Sequence, residues 1–162
     1  MSSQAASANS SGTASGSPAQ QSTRVVCAHC ATINRVPRAR LGEDPKCGSC
    51  GKPLLPGTPF ELDDKNFERH MASNDLPLVV DFWAPWCGPC RMMAPAYEQA
   101  AARLVPEVRL AKLDTDQAPE IAARFAIRGI PTLIAFRNGR EIGRQSGALD
   151  LPRLLHWIKT NV

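Results

Sequence analysis

The chain has 162 residues, 43% of them apolar and 21% charged, with a formal net charge of +4, a length suited to one ordinary domain. No apolar run approaches the ~18 residues needed to cross a bilayer, and the opening MSSQAASANSSGTASGSPAQQST has neither a basic n-region nor an apolar h-region. Neither a membrane protein nor a Sec-exported one is expected, and the absence of arginine before Arg24 argues against a mitochondrial presequence, so the expected location is the cytoplasm.

All nine aromatic residues lie at Phe60 or later, so the front of the chain has nothing large to bury and one core is expected, not two. Residues 1–23 hold eight Ser and five Ala with no charge, the composition of a disordered tail. Residues 24–57 form a small cysteine-bearing module that ends in a linker crowded with Pro53, Pro56 and Gly57, and the main domain is placed at 58–162. Residues 24–55 hold six Lys/Arg against two Asp/Glu, so the net charge sits there. Four thiolates with a divalent ion would lower that module to about +2, too little to suggest nucleic acid; Arg35, Arg38 and Arg40 lack interleaved aromatics and read as a solvated loop.

Along the main domain, Asp63 or Asp64 caps a helix through Ala72, and Pro77 to Trp83 is a short apolar run suited to a strand buried on both faces. A helix is expected from Cys87 to Leu104 and a strand from Val108 to Leu113. Pro119 opens a short helix, and a strand runs from Thr132 to Arg137. Asn138-Gly139 turns the chain into an antiparallel strand over Arg140 to Gln145. Asp150 caps a last helix whose Leu151, Leu154, Leu155 and Ile158 share one face. The fold class is α/β, a mixed sheet with helices on both faces. His70 and His156 are expected at the surface.

Trp86-Cys87-Gly88-Pro89-Cys90 falls where the buried strand turns into a helix. Two thiols at a helix start can close a small disulfide ring. The helix dipole and free N–H groups depress the pKa of Cys87, which makes it the attacking thiolate, while Cys90, one turn further in, is expected deeper and acts second. Pro89 fixes one φ and Gly88 permits close backbone approach, so the ring is stiff.

FWAPWCGPC with the following Arg91, with Pro95 in the helix and with Gly129-Ile130-Pro131-Thr132, resembles the thioredoxin family over residues 60–162. The resemblance implies a thioredoxin fold, a cis Pro131 facing the disulfide, Asp81 as a carboxylate buried beneath it, and Lys112 as that carboxylate's partner. A carboxylate inside Val79-Val80-Asp81-Phe82 is costly to bury charged, so its pKa rises and it can exchange a proton with Cys90 as general base. Trp86, Gly88, Pro89, Gly129, Ile130, Gly147 and Ala148 are expected to line the substrate groove. The implied chemistry is dithiol–disulfide exchange: Cys87 attacks a substrate disulfide and Cys90 resolves the mixed disulfide.

Cys27-Ala-His-Cys30 and Cys47-Gly-Ser-Cys50 have the spacing of a four-thiolate tetrahedral zinc site, with Gly48 and Gly51 relieving the backbone. Two disulfides are the competing account and iron the competing metal; reducing surroundings favour a metal. His29 is expected to face solvent, since four sulfurs fill the tetrahedron. With this module, the resemblance extends to the zinc-carrying branch of the family over residues 24–162. It implies a monomeric general protein-disulfide reductase recharged by an NADPH-dependent thioredoxin reductase, with disulfide-containing proteins as substrates and neither nucleic acid nor membrane as partner. The alternatives are a disulfide oxidase or isomerase, which typically places histidine where Pro89 stands, and a zinc-dependent binding module carrying a redox domain. Loss of residues 1–55 is expected to leave the redox chemistry intact.

Overall fold

A computed structural model describes residues 21–162. Of the segment expected to be a tail, residues 1–20 lie outside the described residues, whereas Ser22 and Thr23 already belong to a strand. Strands β1 (Ser22–Val26) and β2 (Ile33–Pro37) pair antiparallel, and a single 3-10 turn over Arg38–Arg40 comes next.

The main domain runs β3 (Phe60–Leu62), α1 (Phe67–Ser73), β4 (Leu78–Trp83), α2 (Gly88–Leu104), β5 (Arg109–Asp114), α3 (Pro119–Arg124), β6 (Thr132–Arg137), β7 (Arg140–Ser146) and α4 (Leu151–Asn161). Its five strands lie in the order β3-β5-β4-β6-β7. The first two pairings are parallel and the last two antiparallel. The mixed α/β architecture is therefore the expected one, with β3 added at the edge. Its alternation is only three residues long, too short to stand out in the sequence, and it depends on pairing with β5.

Alternation along β4 divides the core. Leu78, Val80 and Phe82 join Phe60, Phe67, Met71, Ile134 and Phe136 under α1 and α3. Val79 faces the opposite layer, with Met93, Tyr97 and Leu104 of α2 and Leu154 and Ile158 of α4. Asp81 shares that second face. The α4 cap is as expected, with Asp150 accepting from the Arg153 N–H at 3.0 Å. Helix α1 begins later than expected because Asp63 caps a preceding turn, accepting from Lys65 and Asn66 N–H, both at 2.9 Å. At Gly143 of β7 an added Cβ would collide with the Asn161 side chain, so any larger residue there would force that side chain at the end of α4 to move.

The front module is welded to this domain. Val25, Val36, Leu41, Leu54 and Leu55 form a small core completed by Leu76 and Val105 of the main domain. The stretch expected to be a linker is packed instead: Pro53 bridges to Lys46, and Leu54 and Leu55 are buried. A module without aromatics fills its core with borrowed side chains. The Arg24 guanidinium also pairs with Asp75 at 2.8 Å, and the Asp75 N–H donates to Arg24 O at 2.9 Å.

Candidate functional site

Parallel strands β4 and β5 put two sites at opposite ends of the sheet. Leu76 and Arg109, before β4 and at the start of β5, contact the front module, while the carboxyl end of β4 leads into Trp86 and Cys87. Six residues of strand, roughly 20 Å, lie between these ends.

At the carboxyl end, Cys87 is the N-cap of α2 and Cys90 lies in its first turn. The two are joined as a disulfide with Cα atoms 5.3 Å apart. Cys87 Sγ accepts the Cys90 N–H at 3.2 Å, which places the first sulfur on the helix's free donors. The expected contrast in exposure is not found: the residues are 4% and 3% accessible, so what distinguishes Cys87 is the cap position. Ile130 packs against the small cluster of Ala84, Cys87 and Cys90, with its carbonyl oxygen 3.7 Å from Cys87 Sγ. The Ile130–Pro131 bond is cis, and the buried Pro131 accepts the Gly147 N–H at 2.9 Å. Pro89, Gly129, Gly147 and Ala148 are exposed and Ile130 is half-buried. A Cβ on Gly88, Gly129 or Gly147 would meet no atom of the described residues beyond its own local backbone within 4 Å, so these residues leave open space beside the disulfide. Trp86 stands 70% exposed beside it.

Three further contacts around these residues were not legible from composition or spacing. Asp116 accepts the Trp86 indole N–H at 2.8 Å and so holds an exposed ring in one orientation. Trp83, whose Nε1 has no hydrogen-bond partner among the described residues, carries the Lys112 ammonium 4.0 Å from its ring centroid. Glu61 of β3 pairs in register with Lys112 of β5, which pairs with Asp81 of β4, so the three charged positions form one row on the α2 face.

Asp81 is 1% accessible and its Oδ1 has no hydrogen-bond partner among the described residues. The expected Lys112–Asp81 pair is not an ion pair here: Lys112 lies over Trp83, and the link is a through-space field. Burial pushes the Asp81 carboxyl up to about 7, Lys112 opposes that and Glu61 adds to it. Burial likewise raises the Glu61 carboxyl. A buried carboxyl titrating near neutrality, on the strand that leads to the disulfide, is equipped to take up and return a proton at physiological pH.

At the other end, Cys27, Cys30, Cys47 and Cys50 come together with their sulfurs all within 4.8 Å of one another. Cys27 Sγ lies 3.7 Å from Cys50 Sγ, and Cys30 Sγ lies 3.6 Å from Cys47 Sγ. A tetrahedron with metal–sulfur bonds of ~2.3 Å has sulfur–sulfur edges of about 3.8 Å. The donor set therefore fits a four-thiolate zinc centre, and no disulfide forms among these four. The His29 and Ser49 N–H groups donate to Cys27 and Cys47 Sγ, both at 3.4 Å, and the Asn34 amide approaches Cys47 Sγ at 3.5 Å. Backbone N–H groups of Cys50 and Ser49, with Asn34, pull the Cys47 thiol down to about 6. His29 is exposed, and so are Arg35, Arg38 and Arg40. His70, expected at the surface, is 1% accessible, its ring tilted against Phe60 at 4.8 Å, with both ring nitrogens unpartnered among the described residues. Burial and the neighbouring Arg109 hold it neutral, with its pKa lowered to about 3.

Comparison with known proteins divides the chain along the same line. Residues 58–160 match the family model described as Thioredoxin, and residues 26–52 match that of the Thioredoxin 2 N-terminal zinc ribbon. Thioredoxin C-3 of Corynebacterium nephridii is 45% identical over 134 residues, spanning 83% of this chain and 92% of its own. The thioredoxin of Rickettsia bellii is 40% identical over 62% of this chain and 96% of its own. That of Haemophilus influenzae is 37% identical over 64% and 96% respectively.

Proposed function

Because the chain belongs to the thioredoxin family, we propose that this thiol–disulfide oxidoreductase works as a general protein-disulfide reductase. The observation that carries the reading is the Cys87–Cys90 disulfide on the N-terminus of α2, with Cys87 as the cap and open space beside it.

The disulfide-bonded form is the end of one turnover, and reduction to the dithiol begins the next. The Cys87 thiolate, favoured by the helix N–H groups, attacks one sulfur of a substrate disulfide; the Cys87–substrate bond forms as the substrate's S–S bond breaks, and the other substrate sulfur leaves as thiolate. Cys90 then loses its proton and attacks Cys87 Sγ. The internal disulfide closes, the second substrate sulfur departs, and two electrons have passed from the cysteine pair to the substrate. Asp81 is the group we assign to receive the Cys90 proton, its pKa near 7 matching that task. Lys112 tunes Asp81 through its field, and Trp86, Gly88, Pro89, Gly129, Ile130, Gly147 and Ala148 form the groove, with Pro131 turning the loop toward the disulfide. An NADPH-dependent thioredoxin reductase restores the dithiol.

The front module holds one zinc ion per chain through Cys27, Cys30, Cys47 and Cys50. Bound there, zinc would cross-link the two turns and contribute folding free energy to a segment with little core of its own. The cytoplasm, where thiolate ligands stay reduced, suits this pairing of sites.

Insulin-disulfide reduction with dithiothreitol tests the reading. The native chain is expected to accelerate precipitation, Cys87→Ser to abolish the effect, and Cys90→Ser to trap mixed disulfides. A Cys87→Ser variant as active as the native chain, or preferential alkylation of Cys90 in the reduced protein, would overturn it.

A further inference from the structure

Arg109 opens β5 with its side chain 4% accessible, and among the described residues it makes no ion pair. Its Nη1 donates to Val26 O at 2.8 Å and to Asn74 Oδ1 at 3.2 Å, and its Nη2 approaches Leu54 O at 3.5 Å. The guanidinium lies over the Phe60 ring, 4.4 Å from its centroid. Burial lowers its pKa to about 10, still above physiological pH, so a full positive charge is sealed into the seam between module and domain.

A buried cation needs more than carbonyl dipoles. The contacts indicate where its countercharge lies. Val26 immediately precedes Cys27, and Leu54 comes four residues after Cys50, so two of the acceptors belong to the backbone that carries the four-cysteine centre. Four thiolates with one divalent ion carry a net charge of about −2.

We propose that Arg109 is the buried countercation of the metal-loaded four-cysteine centre, so that metal occupancy and docking of the front module on β5 are energetically coupled. The inference rests on the metal-binding reading of those cysteines. Oxidation of the four thiolates to two disulfides, with release of four electrons to an oxidant such as peroxide and of the ion to solvent, would remove the net negative charge and leave Arg109 uncompensated in the seam. The guanidinium would then gain by reaching water, which requires the module to loosen from Leu54 and Val26.

Metal release to a chromogenic chelator and thermal melting, each on the full chain, test this. Arg109→Met, close in length and uncharged, is expected to speed metal release at least about tenfold, the size typical of lost outer-shell support. Loaded with metal, Arg109→Met should melt below the native chain; with the four cysteines oxidised to two disulfides and the metal released, it should melt at or above it, because the unpaired charge is gone. Arg109→Lys keeps the charge without the forked donors and is expected to release metal at close to the native rate, which also serves should Arg109→Met fail to fold. An equal drop in melting temperature in the metal-loaded and the oxidised, metal-free forms, or Arg109→Lys releasing metal as fast as Arg109→Met, would reduce Arg109 to a hydrogen-bonding strut and overturn the proposal. A native chain that binds no metal would fail the metal-binding reading itself, and with it the coupling.

Discussion

The chain contains the pattern Cys-x-x-Cys three times, and the structure uses it in two ways. At Cys27 and Cys47 the backbone bends back just past the second cysteine: the Ala31 N–H returns to Cys27 O at 3.0 Å and the Gly51 N–H to Cys47 O at 2.9 Å, both from left-handed backbone, φ 60° and 74°. Thr32 and Lys52 then pair again with the first cysteine of each unit, so each is a tight hairpin with both sulfurs on one side, facing the other hairpin. At Cys87 the chain does not bend back; the Arg91 N–H bonds to Cys87 O at 3.2 Å and the helix runs on to Leu104. Its sulfurs meet each other. The residues after the second cysteine, more than the spacing, decide whether two thiols serve a metal or a redox cycle. Pro89 and the helix-forming RMMA after Cys90 favour the second outcome; Gly51 favours the first.

The largest expected effect breaks the apparent independence of the two regions. Removal of residues 1–55 leaves the redox loop untouched, yet it uncovers Leu76 and Val105 and strips Arg109 of two acceptors. The truncated chain is expected to lose ~3 kcal/mol or more of stability while the folded fraction keeps its turnover. Denaturant titration beside the insulin assay reads both quantities; full native stability would mean that the seam contributes nothing.

The second prediction is confined to the redox region. With its carboxyl raised from 3.8 to about 7, folded Asp81 holds a proton that the unfolded chain has released. The folded state therefore binds more protons in that window, and the native chain loses stability as pH rises from about 4 to about 7. Asp81→Asn should flatten that slope and be more stable at pH 8, by up to ~4 kcal/mol at the one-unit conversion. It should also slow resolution of a mixed disulfide by ~100-fold, the low end for a lost general base. Stopped-flow resolution between pH 6 and 9 is the check; an unchanged rate would remove Asp81 from the proton path.

The smallest effect sharpens the comparison at the metal end. Ala31 holds the left-handed position that glycine fills at Gly51, and Gly48, expected to relieve strain, has no left-handed φ. Ala31→Gly is expected to stabilise the metal-loaded chain by ~0.5–1 kcal/mol, the left-handed cost offset by greater backbone entropy. A lower melting temperature for Ala31→Gly would count against the hairpin geometry.

Elements with strong local signals were legible: the apolar run of β4, the cap and stripe of α4, the Asn138-Gly139 turn and the start of α2 all matched their sequence cues. Elements held by distant partners were not. Strands β1 and β2 draw their core from Leu76 and Val105, and β3 exists because β5 lies beside it. The site divides in the same way. The cysteines could be placed from spacing and flanking residues, but nothing around Arg109 in the sequence announces a sealed guanidinium, because its acceptors lie 83 and 55 residues away. His70 falls on the helix face that meets Phe60, and Lys112 turns to an aromatic ring in preference to a carboxylate. Each is a tertiary choice among options that the local sequence leaves equal.

The outer strands of the sheet bear on how such a chain behaves in a crowd. Strand β3 offers only three residues of edge, and β7 carries Arg140, Glu141 and Arg144 beside a break in register near Ala135 and Phe136. Short, charged and irregular margins give an approaching extended segment no row of amides to copy. On the proposed reading, disulfide-bearing protein substrates bring extended segments close to these borders. A substrate docked at the exposed Trp86 corner would then find no long free edge with which to pair.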